Sequence, residues 1–358
     1  MSRSKLFLVW FAILALILSV VVVACGDDDD DADSNSGDDD NDAVDDDDDS
    51  GNDDDDNNDD DSGESLYVGT AHVYGPGYLN IEQIDVAEGE MGAPKSATVY
   101  APVEPGRYAV LQFQHGFLLS NKFYSDMLNQ VASHGFIIVA PQMYPAGGLP
   151  LGKPSSEEEA AAGVEIMEWL SDHLSDVAGV EAAMDHFGFA GHSRGGKVTW
   201  TILKQDHSGV KAVAGVDPVD SEMPLFGEER VVTEPFDFPF PSLVIGTGLG
   251  PEPLIPLLFP PCAPEGDNHV QFYDASASPA YHVIALEYGH LDMLNDSTPG
   301  CGAACISCTE GPVRETMRVL TGGLLTAFFR ATLQEDETAY DILMDGAAAP
   351  TAVEMEQK

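Results

Sequence analysis

Basic residues are scarce in this chain: 15 Lys and Arg stand against 62 Asp and Glu in 358 residues, a formal net charge of −47. A deficit of this size excludes a nucleic-acid partner and a polybasic membrane-surface protein. Between Asp27 and Glu64 there is no Lys or Arg, yet there are 23 Asp and Glu, so half the imbalance sits in 38 residues. That stretch also has few apolar residues, Ala32, Ala43 and Val44. It is almost entirely Asp, Asn, Ser and Gly, and cannot bury enough surface to offset chain entropy. It reads as a disordered spacer reaching, at about 3.3 Å per residue, on the order of 120 Å. A calcium loop is missing as well. An EF-hand needs oxygen ligands at positions 1, 3 and 5 with Gly at 6, and Gly37, Gly51 and Gly63 each place a wrong residue in one of these. No internal repeat is visible.

Subtracting the spacer and the two basic residues before it leaves 294 residues with 39 acidic and 13 basic groups, net −26. This body holds nearly all the aromatics and is long enough for one large domain or two small ones, which excludes a fully disordered chain. Ahead of the spacer, Met1 to Lys5 is short and basic, and Leu6 to Ala24 is a 19-residue apolar run without a charge. It ends in Val22-Val23-Ala24-Cys25, which resembles the lipobox of bacterial lipoprotein signals. In that family cleavage precedes the Cys, and several acyl chains on Cys25 would give stable anchoring. An uncleaved signal anchor is the alternative, and both readings export the domain. The expected organisation is therefore a leader over 1–24, a lipidated Cys25 and acidic linker over 25–64, a catalytic domain over 65–335 and a tail over 336–358.

From about Ser96 short apolar runs alternate with helix-like segments. Strands are expected over 96–103, 108–114, 136–140, 187–190, 210–216, 242–246 and 282–286, and helices over 122–133, 156–174 and 313–328. Ser155 and Ser156 offer N-caps to the second helix, and Glu157 to Glu159 suit its positive end. Alternation of this kind predicts an α/β fold, a mostly parallel sheet with helices on both faces.

Gly191-His192-Ser193-Arg194-Gly195 falls between an expected strand and an expected helix, the context that the G-x-S-x-G nucleophile elbow requires. The turn would lift the Ser193 hydroxyl clear of the sheet and make the Arg194 N–H an oxyanion donor. A serine hydroxyl needs a base, and the base an orienting carboxylate. In α/β-hydrolases these follow in the order Ser, Asp, His. Asp217 stands at the end of an apolar strand, with Asp220 three residues on, expected to cap or to face solvent. Asp217 is the favoured acid. Of ten histidines, His290 sits in a loop beyond a late strand and is the favoured base; His192 is expected to pack beside the sheet, and His207 and His269 to be surface or loop residues. The second oxyanion donor is assigned to the Phe117 N–H in Gln114-His115-Gly116-Phe117, the alternative being a plain Gly turn.

Taken together, these segments resemble chlorophyllase and the wider α/β-hydrolase group with platelet-activating-factor acetylhydrolases and polyethylene terephthalate hydrolases. The resemblance spans roughly Ala97 to Arg330. It rests on His115-Gly116-Phe117, Phe123-Tyr124-Ser125, Val131 to Phe136, Gly191 to Lys197, Gly215 to Asp220, Val244 to Gly250, Cys262 to Gly266 and Tyr288 to Leu294. It implies a Ser193, Asp217 and His290 triad and hydrolysis of an ester between a long alcohol and a carboxylate, which in plant members are phytol and chlorophyllide. The leader and acidic spacer depart from plant targeting, so fold and chemistry transfer better than substrate. The expected function is a serine carboxylesterase with an acyl-enzyme intermediate acting on an apolar or long-chain ester, with no cofactor and no metal. A catalytically silent surface binding module on the same fold is the alternative.

With Cys25 lipidated, Cys262, Cys301, Cys305 and Cys308 remain, an even number that in an exported chain points to two disulfides with three connectivities. Cys262 must pair into the later cluster, and a bridge to Cys301 would contribute roughly 4 kcal/mol. Cys-x3-Cys-x2-Cys also has zinc-like spacing. Residues 248–267, rich in Gly and Pro with interspersed Leu and Ile, read either as an apolar lid or as core beneath a rigid loop.

Overall fold

The computed structural model describes residues 65–148, 152–221, 229–256 and 259–358. The leader, Cys25 and the acidic linker lie outside the described residues, as do three internal segments, 149–151, 222–228 and 257–258. The described chain forms nine strands: β1 (Ile81–Val86), β2 (Ala97–Pro102), β3 (Arg107–Gln114), β4 (Phe136–Pro141), β5 (Glu181–His192), β6 (Val210–Val216), β7 (Ser242–Thr247), β8 (Ala280–Ala285) and β9 (Val353–Gln357). They make one sheet in the order β1-β2-β4-β3-β5-β6-β7-β8-β9. The six strands from β4 to β8 are parallel; β1, β2 and β9 are antiparallel to their neighbours. The helices are α1 (Ser125–Ala132), α2 (Ser156–Ala178), α3 (Arg194–Gln205), α4 (His269–Ala275), α5 (Arg314–Leu333) and α6 (Ala339–Leu343).

Both faces of the sheet are covered, and the strand sequences show it. In β3, Leu111 and Phe113 join the core beneath α1 and α5, while Tyr108 and Val110 join the core beneath α2, α3 and α4. Strands buried on both sides read as continuous apolar runs, which is why β4 is Phe-Ile-Ile-Val-Ala-Pro with every residue buried. The expected α/β architecture with helices on both faces is the one observed.

Helix α2 begins with a reciprocal capping box. The Ser155 hydroxyl accepts the Glu158 N–H, and the Glu158 carboxylate accepts the Ser155 N–H. The helix runs a turn beyond the expected end, to a left-handed Gly179. Two edge strands and two short helices escaped sequence reading. The segment 336–358, expected as a tail, instead supplies α6 and the strand β9, whose pairing with β8 extends the sheet. Leu343 of that segment is fully buried in the core.

The four cysteines form two disulfides, Cys262–Cys308 and Cys301–Cys305. Cys262 therefore pairs into the later cluster through Cys308, not through Cys301. A short antiparallel bridge between Pro253 and Cys308 runs beside it. In the candidate lid, Leu254 and Ile255 are exposed rather than packed as core.

Candidate active site

All of the singled-out residues of the expected site lie at the carboxyl-terminal edge of the parallel strands, where open α/β sheets gather their ligands. Ser193 follows β5 directly and precedes α3, with φ 57° and ψ −125°. The turn is too tight for side chains at its glycines: a Cβ on Gly191 would strike the Gly195 carbonyl, and one on Gly195 the carbonyls of Gln114 and His115. The elbow context read from the sequence is therefore present.

The three residues expected to cooperate are brought together. His290 Nε2 lies 2.8 Å from Ser193 Oγ, and His290 Nδ1 lies 2.6 Å from Asp217 Oδ2. Asp217 is completely buried directly after β6, and His290 is 4% exposed in the loop after β8. Thr247, at the end of β7, donates its N–H to Asp217 Oδ1 at 3.1 Å and its hydroxyl to Oδ2 at 2.7 Å. Burial pushes the Asp217 carboxyl up, but the His290 hydrogen bond and charge, with His269 and Thr247, outweigh it and hold the group below the ordinary range. Such a chain can remove a proton from the serine hydroxyl while the carboxylate fixes the imidazole tautomer. Sequence reading missed Thr247, and the Asp217-to-Thr247 spacing carries no periodic signal that would have found it.

Asp220 is equally buried but points elsewhere. Its oxygens accept the N–H groups of Val231 and Val232 at 2.8 and 3.0 Å, and Lys197 Nζ stands 3.5 Å from Oδ1. Asp220 therefore neither caps a helix nor faces solvent; it ties down the irregular loop at Val231 and Val232. Asp292 holds the His290 loop, accepting the N–H groups of Gly289 at 2.6 Å and Gly311 at 2.7 Å. Burial outweighs these donors and raises its carboxyl above the usual range. His269, expected as a surface or loop residue, instead opens α4, buried at 3%, and meets His282 at 2.8 Å. His192 is fully buried beside the sheet, as expected.

The loop after β3 presses against Ser193: a Cβ on Gly116 would meet Ser193 Cβ at 3.3 Å. The Gly116 carbonyl accepts from His115 Nδ1 at 2.8 Å and from the Leu119 N–H at 3.1 Å. The peptide is planar and trans, so the Phe117 N–H must point the opposite way. Among the described residues it has no hydrogen-bond acceptor, while the Leu118 N–H reaches Tyr144 at 3.4 Å. His115 Nε2 accepts the Met143 N–H at 3.1 Å, and burial pushes this ring down to about 4, so it serves as a neutral brace. The Arg194 guanidinium covers the Phe117 ring at 4.9 Å and pairs with the buried Glu159 at 2.7 Å. Glu159 is thus tied to the elbow rather than standing free at the helix start. The Arg194 backbone opens α3, whose dipole places partial positive charge beside Ser193.

Comparison with known proteins agrees with this architecture. A family profile for chlorophyllase matches residues 69–358. Chlorophyllase-2 of Arabidopsis thaliana is 38% identical over 283 residues, covering 74% of this chain and 86% of that protein. Chlorophyllase-1 of Arabidopsis thaliana is 32% identical over 289 residues, with 76% and 87% covered. Chlorophyllase type 0 of Chenopodium album is 34% identical over 299 residues, with 77% and 82% covered. A match of this extent, on a mostly parallel sheet flanked by helices, means that the chain belongs to the chlorophyllase family of α/β-hydrolases, with a carboxylesterase-like hydrolase activity.

Proposed function

We propose that the protein is a serine carboxylic-ester hydrolase in which Ser193 is the nucleophile, His290 the general base and Asp217 the orienting acid. The observation that carries this reading is the continuous hydrogen-bonded chain Ser193 Oγ, His290, Asp217, with contacts of 2.8 and 2.6 Å. Ser193 Oγ attacks the ester carbonyl carbon while its proton passes to His290 Nε2. The carbonyl oxygen becomes an oxyanion facing the N–H groups of Phe117 and Arg194. The tetrahedral intermediate collapses, the C–O bond to the alcohol breaks, and His290 returns the proton to the leaving alkoxide. Water, deprotonated by His290, then attacks the acyl-enzyme and releases the acid with Ser193 restored.

The substrate proposed is a neutral, apolar or long-chain ester. A body with net charge −26 disfavours anionic substrates, and Leu254 and Ile255 offer an exposed apolar rim near the Cys262–Cys308 staple. The leader sequence further supports export with lipidation at Cys25, which holds the enzyme at a membrane through the acidic spacer. Lipid labelling that survives Cys25→Ser would overturn that part.

A fluorophosphonate probe tests the chemistry. Wild-type protein is expected to label at Ser193, and Ser193→Ala and His290→Ala are each expected to lose ester hydrolysis by roughly three orders of magnitude or more. Folded wild-type protein that neither labels nor turns over any ester would favour a silent binding module. A panel varying acyl length and alcohol bulk, with chlorophyll among its members, ranks the substrates.

A further inference from the structure

Three segments meet at Ser193 from distant parts of the chain: the Gly116 loop after β3, the elbow after β5 and the His290 loop after β8. Two fully buried side chains outside the triad tie them together, Tyr124 and His192. His192 Nε2 lies 2.8 Å from the His290 carbonyl, which can only accept, so Nε2 carries the proton. Burial, with His290 beside it, pushes His192 down to about 3, so the ring is neutral at pH 7 and Nδ1 is an acceptor. Tyr124 Oη stands 2.7 Å from Nδ1 and donates to it. The same oxygen accepts the Gly116 N–H at 3.0 Å. The bonds therefore run in one direction, from the Gly116 N–H through the Tyr124 hydroxyl and His192 to the His290 carbonyl. The rings pack along the same line, with centroids 5.6 Å apart for Tyr124 and His192 and 4.8 Å for His192 and His290.

We propose that Tyr124 and His192 are positioning residues whose relay holds the oxyanion loop and the base at a fixed spacing across the nucleophile. The proposal rests on the assignment of Ser193 and His290 made above. Neither side chain touches the reacting atoms; each acts through a backbone group, Tyr124 through the Gly116 N–H and His192 through the His290 carbonyl. Apolar side chains of the same shape would fill the same volume, but they would leave two buried backbone groups without partners and the two loops uncoupled.

The test is steady-state hydrolysis of p-nitrophenyl butyrate by Tyr124→Phe, His192→Leu, His192→Gln and the Tyr124→Phe/His192→Leu double variant, each with its thermal unfolding. Misplacing a catalytic group by a fraction of an ångström costs on the order of 10 to 100-fold, so kcat is expected to fall by that factor in Tyr124→Phe and His192→Leu. KM is expected to stay within about twofold, since no substrate contact is removed. His192→Gln keeps an N–H near the Nε2 position and is expected to recover kcat to within about threefold of wild type. The double variant is expected to match the worse single variant, because one relay is cut once. Full kcat in both Tyr124→Phe and His192→Leu, or losses that multiply in the double variant, or equal losses in His192→Gln and His192→Leu, would overturn the proposal. Should His192→Leu fail to fold, Tyr124→Phe, which removes one oxygen atom, decides through its kcat and KM. Ser193→Ala, run alongside, separates the two levels. If it is inactive, a null result refutes only the relay; if it is active, the assignment of the site itself falls.

Discussion

Asp217 and Asp220 stand three residues apart after β6 and are both fully buried, so replacing each with Asn discriminates sharply between chemistry and scaffold. In Asp217→Asn the amide oxygen can take the Thr247 N–H, now 3.1 Å from Oδ1. Its NH2 group then faces His290 Nδ1, at the position now 2.6 Å away. An N–H pointing at Nδ1 demands a lone pair there, which moves the ring proton to Nε2, facing Ser193. The base is then in the wrong tautomer, and kcat/KM is expected to fall on the order of 10⁴-fold, about 5.4 kcal/mol of transition-state stabilisation. Volume hardly changes, so Tm should move little. Asp220→Asn has the opposite profile. Asn cannot accept at both positions used by Val231 and Val232, and the Lys197 ammonium, 2% exposed and 3.5 Å away, loses a carboxylate neighbour while keeping its bond to the Ser221 carbonyl at 3.0 Å. Breaking a buried pair from one side costs about 3–5 kcal/mol. With an unfolding entropy near 2.1 cal/mol/K per residue, a body of this size loses roughly 5–8 °C in Tm. Turnover at 25 °C should stay within about tenfold, because Asp220 bonds to neither Ser193 nor His290. Ester hydrolysis and calorimetry on both variants read the two axes. A 10⁴-fold loss in Asp220→Asn with near-normal turnover in Asp217→Asn would refute the reasoning.

Acid should destabilise the fold well above the carboxylate range. His115, His192 and His282 are held near 4, 3 and 3 by burial, below the unfolded value of about 6.5, so their contribution is intact above pH 6.5 and is lost as pH falls toward the folded values. Each contributes about 1.4 kcal/mol per pH unit within that window, opposed in part by the raised Asp292; equal Tm at pH 7 and pH 5 would contradict this. For the disulfides, the chain-entropy relation gives about 4 kcal/mol for Cys262–Cys308 at separation 46 and about 2 kcal/mol for Cys301–Cys305 at separation 4. The Cys262→Ser/Cys308→Ser variant should therefore lose roughly twice as much Tm as Cys301→Ser/Cys305→Ser, and the reverse order would show that the loop argument fails here.

The parts of the site legible in the sequence are those with local signatures. Ser193 is announced by its glycines and by its place between strand and helix, and Asp217 and His290 by their positions after apolar strands. What escaped depends on pairs of residues that meet only in three dimensions. Nothing local to Thr247 says that it faces Asp217, and Lys197 and Asp220 lie 23 positions apart on different elements. The disulfide partners of Cys262 were open for the same reason. The edge strand β9, Val-Glu-Met-Glu-Gln, buries none of its side chains fully, so its apolar signal is too thin to distinguish it from a tail. His269 follows the polar run Glu265-Gly266-Asp267-Asn268, yet it packs beneath β7, where a side chain on Gly246 would collide with its ring.

Five non-glycine residues among those described have positive φ, and three of them, Leu118, Ser193 and Asp217, belong to the loops of the candidate site. Each such residue costs about 1–3 kcal/mol, a sizeable part of a net stability of 5–15 kcal/mol. The strain is held by the sheet itself. The Ser193 N–H bonds to the Val216 carbonyl at 3.0 Å and the Asp217 N–H to the Ile245 carbonyl at 2.6 Å, so each strained residue is anchored on the next strand. The Ser193 carbonyl in turn accepts the Val219 N–H at 3.2 Å, knitting the acid loop to the elbow. Parallel strands buried on both faces can bear this load, because slippage of one would break the register of its neighbours. Those same anchors set the distance between Ser193 and Asp217. The His290 imidazole spans the two, as the proposed mechanism requires.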